Sequence, residues 1–229
     1  MPYMRVTAAV FLLGALTHCA EAFRSPSLGL TTLALTPPQA RLERQAIFAA
    51  AAPQRDFGER VAAEARRYVG QRELDASGQR YAFDSVGLAR AVFSNLGVDL
   101  FATPAASDPA RSGVDIVYQY AAVHGQLHSL RVPEPGDIVF FGKTRDRDRD
   151  GQPDPLSHIG IVSQVLADGT ANVITTTMTG VVTLPMNRRR PGELRDKEGH
   201  ALNGRLLTAL SPEPQPLTNL FYCFARVAK

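Results

Sequence analysis

Ser85 follows Asp84 at the head of the stretch SVGLARAVFSN, and His158 lies far downstream within SHIGIV. A hydroxyl in the first turn of a helix feels the positive end of the macrodipole, and the backbone N–H groups there can hold an oxyanion. A histidine on a neighbouring strand can take the hydroxyl's proton. The chemistry open to such a pair is acyl or amide transfer. Each residue also has a plainer reading: Asp84-Ser85 is good N-capping sequence, and His158 can be a satisfied core histidine.

A second group is independent of the first. Asp146, Asp148, Asp150 and Asp154 fall at positions 1, 3, 5 and 9 of a loop with Gly151 at position 6, the first part of a calcium loop of the EF-hand type. Ser157 stands at position 12 where such loops carry a bidentate Glu, so any calcium would be held weakly. Arg147 and Arg149 would point away from the ion. The alternative is a solvated loop of alternating charge. The loop leads into the His158 segment, so a bound ion would brace the histidine.

Two weaker candidates complete the chemistry. His124 and His128, four apart, would suggest a metal pair if one helix carried both, but no acidic or cysteine partner nearby completes it. Cys223, in FYCFARV, has neither a helix start nor a basic neighbour and reads as a buried small hydrophobe rather than a thiolate.

The elements that must position these residues follow from periodicity. DFGERVAAEARRYVG places Val61, Ala65, Tyr68 and Val69 on one side of a helix, with Asp56 as candidate N-cap and Gly70 as stop. A second helix is expected over Ser85 to Asn95, capped by Asp84 and ended by Gly97, and a third over Val114 to Gly125. Strands are expected at Ile138–Phe141, after Pro135-Gly136, at His158–Val165, at Ala171–Thr177 and in the last apolar run. Helices first and a mostly antiparallel sheet second is an α+β order. The Pro-rich segment Ser211–Pro216 carries no functional reading.

Three segments in this order, YAFDSVGLARAVFSNLGV (Tyr81 to Val98), PGDIVFFG (Pro135 to Gly142) and SHIGIV (Ser157 to Val162), give the chain a resemblance to the CHAP/NlpC-like cell-wall cysteine hydrolases. The match covers about Asp56 to Thr177. The resemblance implies a papain-like fold, N-terminal helices packed on a small, mostly antiparallel sheet, and a cysteine nucleophile, a histidine and a third polar residue. Carried over by position, Ser85 takes the cysteine's place, His158 is the histidine, and Thr175 is the third member, with Asn172 as the alternative. A thiol ionises readily, whereas a serine hydroxyl needs concerted removal of its proton. The resemblance with these changes therefore implies a domain that binds or acts on peptidoglycan peptide and is catalytically degenerate. The alternatives are an active peptidase or amidase using Ser85 and His158, and a non-enzymatic envelope scaffold.

The rest of the sequence bounds the setting. Of 229 residues 45% are hydrophobic, enough for one good core, with a formal net charge of +3. No nucleic-acid motif is present, and Arg188-Arg189-Arg190 reads as a solvated basic loop. The opening MPYMRVTAAVFLLGALTHCAEA has the layout of a secretory leader over 1–22, with cleavage after Ala22 and export to the periplasm or beyond. Lipid anchoring at Cys19 is the alternative. Residues 23–55 read as an Ala/Pro-rich tether and 56–229 as the folded domain. No segment is long and apolar enough to span a bilayer.

Overall fold

The computed structural model describes residue 53, residues 55–130 and residues 132–228. The expected leader and Cys19 lie outside the described residues. So does nearly all of the expected tether, whose last residue, Arg55, already belongs to the first helix.

Apolar residues spaced three and four apart form α1, which runs through 55–66 and buries Phe57, Val61, Ala62 and Ala65. Asp56 is inside this helix and does not cap it. The following turn keeps Tyr68 buried but turns Val69 outward, 43% exposed, correcting its place on the inner face. A short hairpin comes next, β1 (Leu74–Ala76) and β2 (Gln79–Tyr81), joined by Ser77-Gly78 with both φ positive at 51° and 75°. Strands of three residues carry too little alternation to be read in advance.

Helix α2 (Ser85–Asn95) has the expected bounds. Asp84 Oδ1 accepts the Gly87 N–H at 2.7 Å, and Gly97 leaves the helix at φ 76°. Leu88, Val92 and Phe93 are fully buried. Each such side chain contributes about 1.5–3 kcal/mol on burial, so packing rather than propensity holds α2 in place. A 3-10 turn (Pro104–Ser107) precedes α3 (Gly113–His124). A capping box between Ser112 and Asp115 starts α3.

Helix α3 passes directly into β3 (Gly125–His128), so His124 and His128 do not share a helix face. His124 lies against the Tyr120 ring, whereas His128 faces Asp137, so the two do not form a metal pair.

The remaining elements are β4 (Ile138–Phe141), β5 (His158–Val165), β6 (Ala171–Thr177), β7 (Gly180–Met186), β8 (Arg205–Thr208), β9 (Ser211–Pro216), α4 (Leu217–Leu220) and β10 (Phe221–Val227). Six strands make one sheet in the order β3-β10-β4-β5-β6-β7, with every pairing antiparallel. The expected α+β arrangement, helices beside a mostly antiparallel sheet, is present. Ile138 and Phe140 of β4 pack with α1, α2 and α3, while Val139 and Phe141 pack on the other side with Leu206 of β8 and Leu217 and Leu220 of α4. Burial on both sides explains why β4 is a continuous apolar run instead of an alternating one. The cover on the second face comes from the β8–β9 hairpin, which contains the Pro-rich segment.

The Pro-Gly-Asp turn before β4 has a structural task. Gly136 has φ 86°, and a Cβ there would lie 2.3 Å from the Gly58 carbonyl oxygen, so only glycine lets α1 approach this closely. Asp137 is fully buried and accepts from Arg226 Nε at 2.9 Å, Arg226 Nη2 at 3.1 Å and the Glu134 N–H at 2.8 Å. The His128 ring Nε2 is 3.1 Å from the same carboxylate. One carboxylate thus joins β3, β4 and β10.

The basic cluster is also built into the protein. Arg188 lies over the Phe221 ring at 3.8 Å and donates to the Ser129 and Leu130 carbonyls, and Arg190 pairs with Glu193.

Candidate active site

Packing α2 on β5 brings the head of the helix to the start of the strand. Ser85, the first residue of α2, is buried, and its Oγ accepts the Ile159 N–H at 3.2 Å. His158, the first residue of β5, is half-buried beside it in the chain and lines the same cavity. Asp84 takes the Gly87 N–H and its carbonyl takes the Leu88 N–H. Among the described hydrogen bonds none uses the Ser85 or Val86 N–H, which are the donors a developing oxyanion would need.

The β5–β6 register, with Ile161 opposite Ile174, puts Thr175 diagonally across from His158. Thr175 is fully buried; its Oγ1 is 2.7 Å from His158 Nε2 and donates to the Ile159 carbonyl at 2.6 Å. Threonine has one hydroxyl proton, and the Ile159 carbonyl takes it. Thr175 must therefore accept from His158 Nε2–H, which leaves Nδ1 unprotonated, the tautomer a general base requires. Asn172, the alternative third residue, instead bonds Gln164 at the other end of the strand.

Burial, and then the positive charge of Arg145, push the His158 imidazole down to about 4. It is neutral near pH 7 and a weak base. The pair shares no hydrogen bond among the described residues: the contact of Ser85 Oγ is with the Ile159 amide.

This shift has a consequence for stability. In the unfolded chain His158 binds a proton near its ordinary value of 6.5; in the folded protein it resists until about pH 4. The unfolded state therefore binds more protons in that window, and stability is lost as pH falls from about 6.5 towards 4. The loss from this residue is expected to reach about 2–3 kcal/mol, after discounting for its partial exposure. Urea unfolding at pH 7.5 and pH 4.5 checks this: the difference should shrink by that amount in His158→Gln.

Gly87 fixes how closely α2 can start. A Cβ on Gly87 would lie 1.9 Å from the Ala82 carbonyl oxygen, inside the turn that delivers Asp84 and Ser85. Gly87→Ala is expected to displace the head of α2 and cost about 1–3 kcal/mol, as overpacking against backbone does. Thermal unfolding of the variant, with loss of any ligand binding at Ser85, checks it.

Ser85 and His158 open into a cavity of about 870 Å³. Its walls are β6–β7 residues such as Met178 and Val182, the β8 residues Arg205, Leu206 and Leu207, and Arg145. Arg145, Arg205 and the β8 wall were not singled out in the sequence. They come from a loop and a Pro-rich hairpin whose place beside Ser85 has no local sequence pattern.

The acidic loop is partly assembled. Asp146, Asp148 and Asp150 bring carboxylate oxygens within 4.8 Å of one another. Asp154 stands apart from this group: its Oδ2 accepts the Arg147 N–H at 3.1 Å and lies 3.9 Å from Arg145 Nε. Ser157, at the twelfth position, is buried and accepts from Thr144 N and Thr144 Oγ1 at 3.0 and 2.7 Å. Thus three of the four expected carboxylates converge, and the fourth serves the loop's own backbone.

Cys223 is half-buried with a free thiol, and burial pushes its pKa up to about 11. That fits the expected small hydrophobe and excludes a ready thiolate. No described helix is long and apolar enough to cross a membrane. Comparison with family models, curated proteins and solved structures finds no match to this chain.

Proposed function

We propose that the cavity at Ser85 is a papain-like hydrolase groove that binds cell-wall peptide and is catalytically degenerate. The observation that carries this reading is the chain of contacts from Ile159 through Thr175 to His158. It sets the imidazole in the tautomer of a general base, beside a helix start that supplies Ser85 and two uncommitted N–H groups. Those are the parts of an acyl-transfer site. Two features argue against turnover. Serine lacks the acidity of a thiol, and His158, titrating at about 4, is a poor base for a hydroxyl.

The α+β order, helices against a six-stranded antiparallel sheet, supports the papain-like assignment. Export to the periplasm or beyond belongs to the same proposal, since the ligand lies there, and rests on the leader-like opening of the sequence. Weak calcium binding at Asp146, Asp148 and Asp150 also belongs to it, the loop leading into the His158 strand. Absence of both titration heat and a rise in melting temperature would remove the calcium.

The deciding experiment incubates the full protein and Ser85→Ala with purified wall material. Retention on the wall without released fragments, in both forms, is the expected result. Fragment release by the wild type that disappears in Ser85→Ala would replace this reading with an active serine peptidase or amidase. Failure to bind wall material would leave the envelope scaffold.

A further inference from the structure

The charges lining the cavity are unbalanced. Arg145 and Arg205 border it, while its single carboxylate, Asp84, is committed to the Gly87 amide. Arg145 has an unmet need. Its Nε is buried with no hydrogen-bond acceptor, and its paired carboxylate, Asp154, is 3.9 Å away, beyond hydrogen-bonding distance. Arg145 lines the same cavity as Ser85 and His158.

The rim is of a different character. Met178 is 88% exposed, Leu207 54% and Phe83 38%, and all three border the cavity. Apolar side chains left in solvent around a concave site, with a few placed polar groups, suit a ligand that is aliphatic with one charged group. A guanidinium fork matches a carboxylate, and the exposed part of the Arg145 side chain lines the cavity where a ligand carboxylate can meet it.

We infer that the cavity selects peptides bearing a carboxylate next to the bond held over Ser85, with Arg145 as the specificity-determining residue and the Met178–Leu207 rim taking small aliphatic side chains. Arg205, exposed at the rim, adds attraction without the same geometry. This rests on the peptide-binding reading above and names the class of peptide.

The test uses the full protein and soluble peptides released from purified wall, either intact or with their carboxyl groups converted to methylamides, in titration calorimetry. Intact peptides are expected to bind the wild type about tenfold more tightly than amidated ones, the scale of one charge-assisted pair at a partly open site. Arg145→Gln should bind both forms alike, Arg145→Lys should keep part of the preference, and Arg205→Gln most of it. The Arg145 side chain is 44% exposed, so these variants should melt with the wild type, which a thermal scan verifies. Equal binding of both peptide forms to the wild type, or a tenfold preference surviving in Arg145→Gln, overturns the inference and leaves peptide binding standing. Binding of neither form overturns the peptide reading itself, and the inference with it.

Discussion

Ser85→Cys is expected to release wall fragments at least about a hundredfold above the Ser85→Ala background, the lower end of what a matched proton-transfer arrangement contributes. The rest of the site needs no change. The helix start and the nearby Arg145 both favour an anion at position 85, lowering a thiol that ordinarily ionises near 8.5. A thiolate there would in turn favour the protonated form of His158 against the burial that now holds it at about 4. Serine gains little from the same surroundings, since its hydroxyl does not ionise and must lose its proton in the transition state to a weak base. Fragment release measured by mass spectrometry, with Ser85→Ala as baseline, checks this. If Ser85→Cys releases no more than Ser85→Ala, the site is not built for acyl transfer.

Asp137→Ala is expected to cost about 3–5 kcal/mol of folding stability, the range for removing one partner of a buried ion pair. Asp137 is fully buried, and Arg226 and His128 keep only 21% and 9% of their side-chain surface. Burial works against the Arg226 cation, yet hydrogen bonding and charge from Asp137, together with the charge of Glu134, more than offset it and raise its pKa. Without the carboxylate, the Glu134 amide loses its acceptor, the Arg226 cation keeps only the Glu134 carboxylate at 3.1 Å, and the side-chain tie that supplements the β10 ladders to β3 and β4 is lost. Asp137→Asn keeps a hydrogen-bond acceptor and should lose less. Denaturant midpoints for the two variants check the order. Neither change touches the Ser85 cavity, so ligand binding by whatever fraction is folded should persist.

Local pattern made several elements legible. Asp84 ahead of an apolar repeat defined α2 to the residue, because a capping side chain and four-residue spacing both act within a few positions. The apolar runs of β4, β5 and β6 were likewise readable, since strands buried on both faces are short and unbroken. The turn after α1, where Val69 faces outward, and the strand β3, which starts at the residue where the expected third helix ended, were not. A helix and a strand following without a loop give the same spacing as one longer helix, and only strand pairing with β10 decides between them.

The sequence by itself determined the chemistry available: a serine at a helix start, a histidine and a threonine on adjacent strands, and an aspartate after Pro135-Gly136. Those are matters of residue type and of contacts between near neighbours. Tertiary structure alone decided what Ser85 and His158 face. The β5–β6 register gives Thr175, not Asn172, to the imidazole, and burial sets that imidazole at about 4. The β8–β9 hairpin, from a segment with no pattern of its own, closes an apolar wall beside Ser85, and the Arg145 Nε is left without a hydrogen-bond acceptor. Burial and charge balance are sums over residues distant in sequence, so no single stretch of the chain carries them.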